Sequence, residues 1–320
     1  MIDWTTRRIG EPEPGIGVTV HRLDSGRPGP RLLVVGGVHG NEIGGIVGAG
    51  RLTRQPWPLL AGSLEVVPVL HEAAHAAFVR TGPADGRDLA RTFPGDPAGS
   101  PTERLAHLVL TELIMGADGL IDLHTSSPDA DLPFFAGAYG DDSPVARRST
   151  AMARAFGLEV LWTHPAVGAG RTLSAAAELG IPAMYVESRT GGVLADPVIA
   201  AYSEGVLRVA EAWGLLPAGT VPPALPLRLW LHGSGDTDTF TPAERDGYFL
   251  AEVDLLDPVR AGDRIGRVID FADRVVAPVL AAADGRVVFL RRAAKITAGT
   301  PLVSVCPEHS PETPNLGGNR

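Results

Sequence analysis

Four side chains in this chain have the chemistry and the placement to act on a metal ion and a water molecule. The run His39-Gly40-Asn41-Glu42 puts an imidazole and a carboxylate three residues apart, just after the apolar stretch Arg31–Gly37. Open parallel sheets place ligands at the carboxyl ends of their strands, and there both groups can point at one ion. The ordinary alternative is a Glu favoured near a helix start by the helix dipole. His124 closes a second apolar run, Gly119–His124, in which Leu120, Asp122 and His124 share a face. Alone it reads as a hydrogen-bonding histidine. With His39 and Glu42 it completes a set of two imidazoles and one carboxylate, a known catalytic zinc arrangement that leaves a fourth position for water. Glu187 closes a third run, Ile181–Glu187, directly before a glycine-rich loop. A carboxylate there is costly to bury unless paired. It either caps that loop or bonds Arg189, or it serves as general base to a metal-activated water.

Other candidates carry weaker signals. Arg80 and Arg91 lie in a long stretch rich in Gly, Pro, Asp and Arg (residues 80–101). Arginine forks suit carboxylates and oxyanions, and loop arginines are also commonly solvated. Asp122 is a candidate supporting partner for His124 by virtue of its shared strand face. His71-Glu72-Ala73-Ala74-His75 is a literal HExxH, which on a helix can hold zinc with the Glu as base. It follows a strand directly, lacks the HxxGxxH continuation, and leaves only Glu103 or His107 as a third ligand. No GxGxxG, GK[ST] or GxSxG pattern is present, so neither a phosphate loop nor a serine nucleophile elbow is expected.

These residues must be positioned by regular elements. Strands are expected at 31–37, 64–70 (with Pro68 marking an edge or an irregular end), 119–124 and 181–187, and helices at 41–52, from the Ser100-Pro101-Thr102-Glu103 capping box onward, at 144–156, 172–179 and 199–213. Strands alternating with helices predict an α/β/α layered domain with a mostly parallel sheet over residues 1–217. A linker follows at 218–226, containing Pro222, Pro223 and Pro226. Residues 227–306 read as a small all-β domain of short strands at 227–231, 247–253, 264–269, 275–280, 286–290 and 302–305. The polar stretch 307–320 is expected to be a loose tail.

Composition narrows the field further. The 320 residues are 44% hydrophobic and 20% charged, with net charge −9. That balance excludes a disordered chain and disfavours nucleic-acid binding. Lys295 is the only lysine and Cys306 the only cysteine, which excludes an internal disulfide and any cysteine-built metal cluster. No apolar run is long enough to span a bilayer and residues 1–17 do not read as a secretory signal, so a cytoplasmic location is expected.

GGVHGNE (36–42), DGRDLARTFPGDP (85–97), IDLH (121–124) and GIPAMYVE (180–187) occur together and in this order. In them the chain resembles the succinylglutamate desuccinylase/aspartoacylase family, deacylases built on the zinc carboxypeptidase fold. The resemblance covers most of residues 30–215. It implies one zinc per chain held by His39, Glu42 and His124, with Glu187 as acid/base and Arg80 as the carbonyl-polarising arginine. The family's DLNR motif falls on Asp88-Leu89-Ala90-Arg91, which implies that Arg91 holds a substrate carboxylate. Ala90 replaces the family asparagine and removes one amide partner for that group. Arg171 matches a second substrate arginine. The all-β part is similar to the family's accessory barrel-sandwich, without a lysine placed for lipoylation. The implied reaction is hydrolysis of a small N-acyl amino acid or N-acyl amine. A metallocarboxypeptidase and a non-catalytic binding protein on the same fold are the alternatives, and the oligomeric state stays open.

Overall fold

The computed structural model describes residues 2–10, 16–189, 191–233 and 240–309. The first element pair is an antiparallel hairpin of β1 (Thr5–Ile9) and β2 (Val18–Asp24), neither of which the sequence pattern announced. β3 (Arg31–Gly36) follows, with every residue after Arg31 buried, as expected for a strand covered on both faces. Next come α1 (Ile43–Leu52), β4 (Ser63–Val67) and a short helix, α2 (Glu72–Ala77). α3 (Pro101–Val109) starts at the expected capping box, where the Glu103 carboxylate accepts from the Ser100 N–H at 2.8 Å. The chain continues through β5 (Gly119–Leu123), β6 (Ala130–Asp131), β7 (Phe135–Tyr139), α4 (Pro144–Phe156), β8 (Val160–His164), α5 (Thr172–Glu178), β9 (Ala183–Glu187), α6 (Asp196–Ala212) and β10 (Leu229–His232).

Nine of these strands form one sheet in the order β1-β2-β4-β3-β5-β9-β7-β8-β10. The centre is parallel: β4, β3, β5 and β9 run together, and β7, β8 and β10 form a second parallel set that meets β9 antiparallel. Alternation along β3 divides the core between the two faces. Leu32 and Val34 pack toward α1, α4 and α6 with Leu52, Phe156 and Tyr202. Leu33 and Val35 pack on the other face with Leu105, Val109 and Leu173 from α3 and α5. The α/β/α layering read from the sequence is the observed one.

Three local expectations differ. Residues 229–232 do not open the all-β part; as β10 they pair in parallel with β8 and extend the large sheet, so the chain recrosses to the first layer after its proline-rich stretch. β4 is interior rather than at an edge, and it ends at Val67, just before Pro68, whose missing N–H cannot join the ladder. β7 and β8, which lie beyond the change of direction between β9 and β7, were not anticipated, because their mixed small, aromatic and polar residues give no clean periodicity.

The remaining strands are β11 (Thr241–Pro242), β12 (Gly247–Ala251), β13 (Pro258–Val259), β14 (Arg264–Ile269), β15 (Val275–Leu280), β16 (Gly285–Arg291), β17 (Lys295–Ile296) and β18 (Pro301–Cys306). They make two facing sheets, β11-β18-β16-β13 and β15-β14-β12-β17, around Phe249, Ile265, Val287, Leu290 and Leu302. β6 joins the first of these sheets, pairing Asp131 with Leu290 and Ala130 with Arg291. Arg292 meets the buried Asp131 at 2.6 Å. The segment just after His124 is therefore hydrogen-bonded to the all-β part. Of the expected tail, residues 310–320 lie outside the described residues.

Candidate active site

β3, β5 and β9 are consecutive neighbours running in one direction, so their carboxyl ends open at the same edge of the sheet. His39 follows β3, His124 follows β5, and Glu187 ends β9. α1 packs close enough to bring Glu42 to that edge: a Cβ on Gly45 would sit 2.1 Å from the Leu123 carbonyl oxygen, which only glycine permits. Glu42 occupies the N-cap position of α1, yet its side chain caps nothing. It turns instead toward the two imidazoles, which answers the capping alternative.

The contacts are short and directional. His39 Nδ1 lies 2.6 Å from Glu42 Oε1, and His124 Nδ1 lies 2.9 Å from Glu42 Oε2. The opposite ring nitrogens are each held by a carboxylate: His39 Nε2 by Asp88 at 3.0 Å and His124 Nε2 by Asp122 at 3.1 Å. Asp122 in turn accepts from the Thr172 hydroxyl at 2.5 Å. One donor atom from each of His39, Glu42 and His124 lies within 4.8 Å of the others, and this is the one such group of three among the described residues. Two Nδ1 atoms and a carboxylate converging, with both Nε2 atoms anchored behind, is the pattern by which outer carboxylates orient metal-ligating histidines. The donor set fits a divalent cation such as zinc.

Charge compensation explains how the group stays buried. Burial alone would raise the Glu42 carboxyl; His39 and His124 outweigh it and hold Glu42 well below the usual carboxylate range. Burial would lower His124, but Asp122 and Glu42 push it well above the ordinary imidazole value. Asp88 is likewise held low, against burial, by its bond to His39 and by the charges of Arg80 and Arg91. Glu187 goes the other way: burial, then repulsion from Glu42, pushes it up to about 8. Its Oε2 is buried without a hydrogen-bond partner. A carboxyl with one oxygen left without a hydrogen-bond partner and an affinity for protons near neutrality suits proton transfer.

Arg80 bridges Glu42 Oε1 at 3.2 Å and Asp88 Oδ2 at 3.1 Å. Arg91 follows in the short 3-10 turn Leu89–Arg91, whose N-cap Asp88 accepts from the Ala90 N–H at 2.9 Å. The Gly170 carbonyl accepts from the Phe93 N–H at 3.1 Å, which sews the loop before Arg171 to the loop of Arg91. His39, Glu42, Arg80, Arg91, His124, Arg171 and Glu187 all line one cavity of about 710 Å³, together with Asp122. Phe240 and Phe289 of the all-β part also line it, in edge-to-face contact at 4.5 Å between ring centroids.

HEAAH has a different task. His71 caps α2 through Nδ1, which accepts from the Ala74 N–H at 3.4 Å, and Glu72 is tied to Arg8 at 3.0 Å and to Thr19. His75 Nδ1 donates to the Gly40 carbonyl at 2.8 Å. The motif thus buttresses the backbone of the His39–Glu42 loop rather than chelating an ion, which overturns the zincin alternative. Sequence reasoning missed three further groups: Asp88 as the partner of His39, Tyr202, whose hydroxyl donates to the His124 carbonyl, and the His164–Tyr185 pair in the cavity wall. Only Asp88 had a local signal, its position in Asp88-Leu89-Ala90-Arg91.

Residues 28–213 match the model of the succinylglutamate desuccinylase/aspartoacylase catalytic domain. The chain belongs to this family. Among family relatives, the N-alpha-acetyl-L-2,4-diaminobutyric acid deacetylase of Halomonas elongata is 31% identical over 282 residues, covering 87% of this chain and 82% of that protein. The ectoine utilization protein EutE (DoeB) of Ruegeria pomeroyi, solved with product bound, superposes with a TM-score of 0.84 at 25% identity over 96% of each chain. A succinylglutamate desuccinylase from Silicibacter sp. TM1040 shares the fold at a TM-score of 0.82 and 23% identity, covering 97% of this chain and 95% of its own. Among the described residues, no helix is long and apolar enough to cross a membrane.

Proposed function

We propose that this family member is a zinc-dependent deacylase that hydrolyses the amide bond of a small N-acyl amino acid or N-acyl amine. The observation that carries the reading is the convergence of His39, Glu42 and His124 on one point, with Glu187, whose Oε2 has no hydrogen-bond partner, in the same cavity. His39 and His124, through Nδ1, and Glu42 would hold the ion. When bound there, zinc supplies Lewis acidity and lowers the pKa of a water toward ~7.

The chain's own groups do the rest. Glu187 takes a proton from the attacking water and returns it to the leaving nitrogen as the C–N bond breaks, so that amide and water become carboxylic acid and amine. Arg80, half-exposed beside Glu42, is placed to stabilise charge developing on the carbonyl oxygen. Arg91 and Arg171 orient an anionic group of the substrate. With Ala90 in the family asparagine's place, that group is gripped by arginines without the amide. Phe240 and Phe289 wall the cavity, which supports a small substrate over a peptide tail. The name of the Halomonas elongata relative supports acetylated diamino acids as the first compounds to try.

The test is metal content together with amine release from acetylated amino acids. Chelation should abolish turnover and added zinc should restore it. Glu187→Gln should cut turnover roughly 10²- to 10⁴-fold while metal content stays the same. A protein that neither holds nor takes up zinc would favour the non-catalytic binder. Retained turnover in Glu187→Gln would remove Glu187 from the base role.

A further inference from the structure

β6 ties the loop that follows His124 to the all-β part. Its residues Ala130 and Asp131 pair with Arg291 and Leu290 of β16. Beside that ladder the Asp129 carbonyl accepts from the Arg292 N–H at 2.8 Å and from the Ala293 N–H at 3.1 Å. The Arg292 guanidinium donates to the buried Asp131 carboxylate at 2.6 Å, and Arg291 faces Asp129 at 3.4 Å. The anchor therefore combines backbone bonds with a charge-assisted one, the stronger kind of hydrogen bond.

The other end of the loop is tied to the metal-site groups. The Thr125 N–H donates to Glu42 Oε2 at 3.2 Å, and the Thr125 hydroxyl accepts from the Gly45 N–H of α1 at 3.0 Å. The Ser126 N–H donates at 3.1 Å to the carbonyl of Ser188, the residue after Glu187, and the Ser126 hydroxyl donates to the Ala130 carbonyl at 2.8 Å. The Gly191 N–H donates to the Ser127 carbonyl at 3.2 Å, and a Cβ on Gly191 would sit 1.9 Å from the Ser126 carbonyl oxygen. Contact that close leaves the two loops no room to move independently. Thr125, Ser126, Ser127 and Leu132 all line the cavity, so a shift of this loop moves the cavity wall and a hydrogen-bond partner of Glu42 together.

From this chain of contacts we infer that Arg292 is a positioning residue for the deacylation. By clamping Asp131 it holds loop 125–131 against Glu42 and against the loop after Glu187, so the all-β part sets the geometry of the metal site as well as walling the cavity. The inference rests on the deacylase reading for its effect on turnover; its effect on metal affinity rests on the ligand set alone.

The experiment uses the full chain, with zinc affinity read by chelator competition and turnover read on an acetylated amino acid. Arg292→Met removes the charge that faces Asp131. It should lower kcat roughly 10- to 100-fold with KM nearly unchanged, and weaken zinc binding about 10-fold, the scale of a lost outer support and a small misplacement. Arg292→Lys should restore most of both. Arg274→Met breaks the Arg274–Asp270 pair next to the β14–β15 turn and should change neither, which controls for general loosening of the all-β part. Ser126→Ala removes the hydroxyl tie to Ala130; it should reproduce the loss and keeps the test open if Arg292→Met fails to fold. Wild-type kcat and zinc affinity in Arg292→Met, a change confined to KM or acyl preference, or an equal loss in Arg274→Met would overturn the inference. Weakened zinc binding in Arg292→Met, in a chain whose wild type hydrolyses no acylated amine, would support it and refute the hydrolytic reading.

Discussion

Gly40→Ala isolates the link between the HEAAH helix and the metal-ligand loop. A Cβ at Gly40 would lie 2.0 Å from the Ala74 carbonyl carbon and 2.2 Å from both the Ala74 oxygen and the His75 nitrogen. Ordinary contact begins at 3.4 Å, so the two backbones must separate by roughly an ångström or more. All three atoms belong to backbone, so no side chain can swing aside. The separation stretches the His75 Nδ1 bond to the Gly40 carbonyl, now 2.8 Å, and shifts His39 and Glu42 on either side of the inserted methyl. Overpacking of this kind costs about 1–3 kcal/mol, less than a typical domain's total stability, so the variant should fold with a lowered melting temperature. Loss of an outer support typically weakens metal binding about 10- to 100-fold. Chelator competition with zinc, alongside circular dichroism to confirm the fold, measures both effects. A folded Gly40→Ala protein with wild-type zinc affinity would refute the assignment of α2 as the platform of the loop.

Other outcomes follow from the same structure. Asp122→Asn replaces the carboxylate behind His124 Nε2 and should weaken zinc binding by a similar 10- to 100-fold, read by the same competition. Asp85 is held down to about 2 because, against burial, it accepts from the Thr102 N–H and hydroxyl and from the Arg87 N–H. Its folded-state value is depressed, so its contribution to stability is full above the ordinary carboxylate value near 4 and is lost as pH falls toward 2. Acid titration of unfolding should show a shallower decline in that window for Asp85→Asn than for the wild type; identical profiles would count against it. Phe289→Ala opens the cavity wall contributed by the all-β part and should improve kcat/KM for bulkier acyl groups relative to acetyl, measured across an acyl-length series.

The residue types of the site were legible because each sits where a strand visibly stops. Apolar runs closed by His124 and Glu187, and one followed by His39-Gly40-Asn41-Glu42, mark three carboxyl ends without knowledge of any partner. The helices at 144–156 and 172–179 were legible for the same reason, since amphipathic spacing and capping are local. β1 and β2 were not, because exposed Thr and Arg on β1 hide an apolar period, and β10 looked like the start of the next domain because a proline-rich stretch precedes it.

Tertiary structure alone decided which ends meet. Glu42 reaches His124 across 82 positions and His39 reaches Asp88 across 49, distances that only the sheet order β3-β5-β9 and the folding back of the 80–101 loop can close. HEAAH shows the converse: its letters fit zinc, yet the placement of α2 beneath Gly40 makes it a brace. Donor chemistry is a property of side chains and can be read in order along the chain. Coordination, proton affinity and the direction of a hydrogen bond belong to pairs of groups, and packing chooses the pairs.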